Sequence, residues 1–144
     1  MDNDTLLEVK NLHTHFVLDQ GTVRAVNGAN FTLKRGQTLG IVGESGCGKS
    51  IMSRSVMRIV PHPGKIAEGE ILFRQQDDSV VDLAQMDPSG AKIRSIRGSD
   101  IAMVFQEPMT SLSPVHTVGN QIIEAIVLHQ DVSEKAARDM TIDM

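Results

Sequence analysis

Eight consecutive residues, Gly43-Glu44-Ser45-Gly46-Cys47-Gly48-Lys49-Ser50, constrain this chain more than any other stretch, because they fit the pattern G-x-x-x-x-G-K-[ST]. Glycines at these places let the backbone wrap tightly, with several N–H groups aimed inward at an anion. The lysine, Lys49, can reach the outer phosphates of a nucleotide, and the Ser50 hydroxyl can bind Mg2+. Such a loop must be entered from a strand and left through a helix. Upstream, Thr38-Leu39-Gly40-Ile41-Val42 is a short apolar run that reads as a buried strand. Downstream, Ile51, Met52, Val56, Ile59 and Val60 recur near helical spacing, which predicts a helix over 50–60, stopped by Pro61 and Pro63. A helix starting there adds partial positive charge for phosphates. A glycine turn without function would not explain why Lys49 and Ser50 stand where they do.

Composition narrows the partners. The 144 residues suffice for one domain with its own core. Net charge is −4, from Lys+Arg 14 against Asp+Glu 18, and no basic stripe for nucleic acid is present. Four Phe, no Trp and no Tyr argue against a base-stacking platform for single strands. The one cysteine, Cys47, sits at a free position of the glycine-rich loop and has no partner for an internal disulfide, which suits a reducing compartment. No run approaches the roughly 18 apolar residues of a spanning helix. The start, Met1-Asp2-Asn3-Asp4, lacks the basic residues of a signal peptide. A cytoplasmic protein is expected, reaching a membrane only through a partner.

Along the chain, Leu6–Val17 reads as a strand and Thr22–Leu33 as one or two more, with a turn at Asn27-Gly28. Pro61–Gly69 reads as loop, Glu70–Phe73 as a short strand, and Gln75–Asp78 as a polar turn. Asp87 with Pro88 predicts the cap and first position of a helix running to about Ile96. Ile101-Ala102-Met103-Val104-Phe105 has the length and apolarity of a strand buried on both faces. Helices are expected at Val118–Leu128 and from Ser133 onward, the last with a capping box from Asp131 and Glu134. It still reads as helix where the chain ends at Met144.

Gln106 follows the run Ile101–Phe105. At the carboxyl end of a core strand a glutamine can project into the crevice where α/β sheets bind ligands, there to bind Mg2+ or orient a water. From position alone the better reading is a polar residue that merely ends a strand.

Several stretches together resemble the ATP-binding subunits of ABC transporters, most closely those of dipeptide and oligopeptide importers. They are Leu7-Glu8-Val9-Lys10-Asn11-Leu12, Ala25-Val26-Asn27-Gly28, Gly40 to Ser50, and the most specific, Ile101 to Pro114. The resemblance covers nearly the whole chain. It implies an α/β fold: a P-loop NTPase core with an N-terminal antiparallel β-subdomain over about 1–106, and the start of a helical subdomain over about 107–144. It implies ATP held by Gly43, Glu44, Ser45, Gly46, Cys47, Gly48, Lys49, Ser50 and Ile51, with Mg2+ near Ser50 and Gln106. Ile51 departs from the Thr or Ser of many relatives, though its backbone N–H would still serve. Phe16 falls where the family stacks an aromatic on adenine; otherwise it is an ordinary core phenylalanine. Gln106 would be the Q-loop glutamine, and Glu107 to Val118 would receive a coupling helix of the permease. The implied partners are transmembrane permease subunits, a second ATP-binding subunit (the same or a different chain) and, indirectly, a solute-binding protein; nucleic acid is not among them. The implied place is the inner face of the cell membrane.

Family hallmarks are also missing: an L-S-G-G-Q-type signature, a Walker B strand ending in Asp and the catalytic Glu, and a switch His. Ser89-Gly90 lacks the signature's context, and Val80-Val81-Asp82 is too short and too early for Walker B. No catalytic residue is therefore assigned. The chain reads as the N-terminal part of a longer transport ATPase, truncated or cut by a broken frame, that binds ATP weakly and does not turn it over alone. The alternative is a non-enzymatic remnant that binds nucleotide or permease. An ABC ATPase of DNA repair or translation is disfavoured by the missing basic patch and by the importer-like block around Gln106. His13 and His15 share a strand face without an evident third metal ligand. His62, His116 and His129 read as loop or surface residues, the eight Met as gap-fillers, and Lys92, Arg94 and Arg97 as a solvated helix face.

Overall fold

The computed structural model describes residues 1–106 and 112–144. Residues 107–111 of the importer-like block, which open the segment assigned to a coupling helix, lie outside the described residues. The chain divides into two compact units, Met1–Asp100 and Ile101–Met144.

The first unit is built on a long hairpin. Strand β1 (Thr5–Leu18) pairs antiparallel with β2 (Gly21–Lys34) on one side and with β3 (Gly64–Arg74) on the other. A short β4 (Val80–Asp82) completes the order β2-β1-β3-β4. The burial of β1 explains how one strand can serve so long a sheet. Thr5, Leu7 and Val9 are buried, then Leu12 and Thr14, so the alternation slips by one residue between Val9 and Leu12. There Lys10 and Asn11 stand opposite the single Asn30 of β2, and Asn11 and Leu12 stand opposite the single Gly69 of β3. The extra residue is a β-bulge, and it keeps the apolar side chains of both halves on one face. Asn11, at φ 46, donates its N–H to Asn30 Oδ1 at 2.8 Å, and Asn30 Nδ2 donates to Gly28 O at 2.8 Å. These side-chain bonds satisfy backbone groups that the broken ladder leaves open. Gly69, at φ +101, lies against the bulge: a Cβ there would stand 2.6 Å from Leu12 Cα and overlap Asn11 O.

The buried face carries Leu7, Val9, Leu12, Ile71 and Phe73, and the unit's core is completed by Met52, Val56, Met57, Leu83, Ile93 and Ile96. These come from α1 (Lys49–Val56) and its exit, a 3-10 turn (Leu83–Gln85), and α2 (Ala91–Ile96). Helix α1 ends at Val56, four residues short of the expected 60. Arg58 turns to φ 56 there, so the chain leaves the helix before it meets Pro61. Asp87 does not cap α2. Its side chain accepts from Ser89 N–H at 3.0 Å and its carbonyl from Gly90 N–H at 2.9 Å, a local turn, and Gly90 becomes the cap. Lys92 and Arg94 are exposed as expected, but Arg97 is not part of a solvated face. Its guanidinium donates to Met57 O at 2.8 Å, Arg58 O at 2.8 Å and Pro88 O at 2.9 Å, tying the exit of α1 to both ends of the α2 segment.

Two strand expectations fail. Residues 38–42 and 102–105 form no ladder, and Ile101 makes only an isolated bridge. Val42 and Val104 are each 97% exposed. An apolar run becomes a central strand only with strands on both sides to take its hydrogen bonds. Among the described residues the sheet is β2-β1-β3-β4, and neither run joins it. Asn27-Gly28 is not a turn between two strands either; β2 runs through it, with Gly28 as an extra residue between Ala29 and Asn27, which pair with Leu12 and His13. Residues 64–69, expected as loop, are the first half of β3.

The second unit holds α3 (Val118–His129) and α4 (Glu134–Asp143), which bury Ile126 and Ala137. Thr117 caps α3 by accepting from Asn120 N–H at 3.2 Å. Ser133, not Asp131, caps α4 by accepting from Ala136 N–H at 3.3 Å. Among the described residues no helix is long and apolar enough to cross a membrane.

Candidate functional site

The glycine-rich loop leads into α1 as the motif requires. Gly48 is the cap residue, at φ 95, and offers no side chain to the helix. The first intrahelical bond runs from Met52 N–H to Gly48 O at 2.9 Å. The N–H groups of the first turn, at Lys49, Ser50 and Ile51, thus lack a side-chain cap, and the positive end of the helix is left for an anion.

Lys49 is already drawn into the loop. Its ammonium donates to Gly43 O and Glu44 O, both at 2.6 Å, and lies 3.4 Å from Cys47 Sγ. A further bond from Cys47 N–H to Glu44 O at 3.3 Å closes the turn. Glu44, Ser45, Gly46 and Ser50 are exposed, Cys47 is an exposed free thiol, and Ile51 is half-buried. The charge that would meet phosphate oxygens is therefore held at the centre of the loop by its own backbone, with the Ser50 hydroxyl free beside it. These features fit a nucleotide's phosphates. The exposed Ser50 fits a Mg2+ carried in with them; among the described residues no group of three His, Cys, Asp or Glu could hold a metal alone.

The sheet fixes where this loop sits. Thr14 pairs with Val26 and His15 with Arg24, so Ala25 is an extra residue on β2. Its carbonyl is pushed out against Gly48, where a Cβ would overlap Ala25 O and stand 3.3 Å from Ala25 C. A cleft of about 410 Å3 opens beside this contact, lined by Ala25, Val26, Ile41, Cys47, Gly48 and Lys49 among others. That volume lies in the range of small-molecule sites. Behind it, Thr14 Oγ1 and Ser55 Oγ meet at 2.8 Å, both fully buried, and Ser55 Oγ donates to Ile51 O at 2.7 Å. Motif reading missed both contacts. Their signal in the sequence is faint: polar Thr14 and Ser55 at positions of buried phase.

Phe16 shares the β1 face of Leu12 and Thr14, two residues beyond Thr14. Its ring rests over Gly64, where a Cβ would come within 2.7 Å of Phe16 Cε1 and 2.6 Å of Val60 Cγ1. Across the hairpin it pairs with Val23, which is 52% exposed. The ring is half-buried. Gln106 is exposed and belongs to the second unit. His13 and His15 meet edge to face at 6.0 Å, and His13 Nε2 bonds Asn11 Oδ1 at 3.1 Å, a bulge contact rather than a metal pair.

The family model described as "ABC transporter" matches residues 26–143. A probable peptide ABC transporter ATP-binding protein, y4tR, of Sinorhizobium fredii is 45% identical over 142 residues, covering 98% of this chain. The dipeptide transport ATP-binding protein DppD of Bacillus subtilis is 46% identical over 142 residues, again 98% of the chain. The glutathione import ATP-binding protein GsiA of Pectobacterium atrosepticum is 47% identical over 143 residues, 96% of the chain. The chain spans 40% of the length of the first two and 22% of the third. Among solved structures, the dimeric bacterial ABC transporter cassette MJ0796 superposes with a TM-score of 0.76 at 22% identity, over 96% of this chain and 55% of that one. A second structure of that cassette, bound to ADP and Pi, gives 0.76 at 21% identity. At that identity the likeness concerns the fold: α/β, with an antiparallel β-subdomain beside a P-loop. The family match over residues 26–143, most of the chain, establishes that the chain belongs to the ABC transporter family.

Proposed function

We propose that this chain is the phosphate-holding part of an ATP-binding subunit that serves an importer of peptides or similarly small solutes. One observation carries the reading. Lys49 is pinned by two carbonyls of its own loop at the uncapped start of α1, which places a cation, a row of N–H donors and the Ser50 hydroxyl around one point. Residues Gly43 to Ile51 wrap the phosphates of ATP. Lys49 offsets charge on the β- and γ-phosphates, and Ser50 supplies a ligand to Mg2+, with Gln106 a second. Phe16 offers its half-buried ring to adenine. The relatives' names, which speak of peptide, dipeptide and glutathione transport, support the solute class. In such a system the chain works against permease subunits and a second ATP-binding subunit at the inner membrane face.

Among the described residues no carboxylate bonds to Lys49 or to the loop, and the chain alone is expected to bind Mg·ATP weakly and without rapid turnover. Isothermal titration of the chain and of Lys49→Ala with Mg·ATP tests the reading. Binding in the parent that weakens at least about tenfold in the variant, roughly 1.4 kcal/mol, supports it. Equal binding in both, or turnover at an ordinary enzymatic rate of about 1 per second or more, overturns it.

A further inference from the structure

The buried hydroxyl pair Thr14–Ser55 links two places that the proposed function assigns to opposite ends of one ligand. Thr14 lies on β1 two residues before Phe16, on the same strand face. Ser55 lies on α1, one turn beyond Ile51, whose carbonyl it holds at 2.7 Å. The side chains meet at 2.8 Å with no exposed surface, across 41 residues of sequence. Ser55 has one hydroxyl proton, and it is committed to Ile51 O. Thr14 therefore donates and Ser55 accepts, giving a chain from β1 through Ser55 to the first turn of α1.

We propose that Thr14 and Ser55 are positioning residues that set the distance between the adenine face at Phe16 and the phosphate cradle at 43–51. This rests on the reading of Phe16 and Lys49 given above. The cradle is internal to the loop and the start of α1, because Lys49, Gly43 and Glu44 bond one another. Phe16 belongs to the sheet. Contacts between sheet and helix hold the two in register: the apolar packing of Met52 and Val56, the Gly48–Ala25 seat and, as a buried polar link between side chains, this hydroxyl pair. A ligand that touches the cradle alone is indifferent to their spacing. One that spans both is not, since a misplacement must be made good from its binding energy.

The test compares ATP with inorganic triphosphate in the full chain, each with Mg2+. Thr14→Val keeps the shape and leaves Ser55 bonded to Ile51 O; Thr14→Ser restores the donor. Thr14→Val should weaken ATP about tenfold and triphosphate less than about twofold, and Thr14→Ser should recover most of the loss. A merely stabilising pair would lower the urea midpoint and leave the ratio of the two affinities at its parent value; that ratio, unchanged, overturns the proposal. Phe16→Ala separates the two failures. If it erases the preference for ATP over triphosphate while Thr14→Val does not, the adenine reading stands and the positioning role falls. If Phe16→Ala leaves the preference intact, the reading of Phe16 falls and the positioning role with it.

Discussion

Replacing Gly48 by alanine should damage the loop in a way that replacing Gly46 does not, although both glycines sit at positive φ, 95° and 83°. Each substitution puts an L side chain into a left-handed conformation, a cost of about 1–2 kcal/mol. At Gly46 nothing lies within 4 Å of the new Cβ, so that is the whole cost. At Gly48 the Cβ overlaps the carbonyl oxygen of Ala25, the bulged residue of β2. The blocking atom is backbone and cannot rotate away. To restore a normal separation of about 3.5 Å, loop and strand must part by on the order of 1 Å. Overpacking of this kind costs typically 1–3 kcal/mol, so Gly48→Ala should lose about 2–5 kcal/mol in all. With a urea m value of about 1–3 kcal/mol per molar, the midpoints of the two variants should be resolved. Affinity should divide them further. Whatever overlap is relieved by moving the loop off β2 shifts the cradle, so Gly48→Ala should bind Mg·ATP ten- to a hundredfold more weakly, about 1.4–2.8 kcal/mol. Gly46→Ala should lose less affinity than Gly48→Ala. Equal losses of stability in the two variants, or parent-like ATP binding by Gly48→Ala, would refute the claim that the strand bulge seats the loop.

Gly69→Ala tests the other bulge. The left-handed backbone and the overlap with Asn11 O and Leu12 Cα together predict a loss of about 3 kcal/mol in urea unfolding, against a few tenths if the three strands can slide. Arg97→Met removes a guanidinium bonded to three carbonyls and should cost about 2 kcal/mol; a midpoint equal to the parent's would return Arg97 to the solvated face predicted for it. Asp77 takes the hydroxyl and N–H of Ser79 at 2.6 and 3.0 Å, which hold its carboxyl below the ordinary 3.8. Because the folded value is depressed, its stabilisation is present above pH 3.8 and fades as pH falls through the folded value. Asp77→Asn should therefore be less stable than the parent at neutral pH, and the gap should close in acid; a gap constant with pH would exclude this source.

The site was more legible than the sheet, for a physical reason. A phosphate loop is local: eight residues specify their own turns, donors and cation, so pattern alone located Lys49, Ser50 and the helix that follows. Helices α3 and α4 are legible for the same reason, since periodicity acts within a few residues, although the cap of α4 is Ser133 and not the expected Asp131. Strand pairing is not local. Thr38–Val42 and Ile101–Phe105 have the composition of central strands, yet their fate depends on neighbours elsewhere in a fold. Alternation over Leu6–Val17 does not disclose the bulges; the information lies in the break of phase between Val9 and Leu12. The role of Arg97 is not legible from its helix face, because the carbonyls it binds lie at the exit of another helix, 39 and 40 residues away in sequence.

The bonding of Lys49 bears on how fast the loop can exchange its ligand. Two of the ammonium's three protons are bound to Gly43 O and Glu44 O at 2.6 Å, while the third direction faces only a thiol at 3.4 Å. An arriving phosphate oxygen displaces the weakest of these contacts and leaves the other two in place. The lysine need not swing in from solvent, so little side-chain entropy is lost at the moment of capture. When the phosphate leaves, the ammonium is still solvated by its own backbone rather than stranded. On the proposed reading, the loop is poised as much for release of phosphate as for its retention.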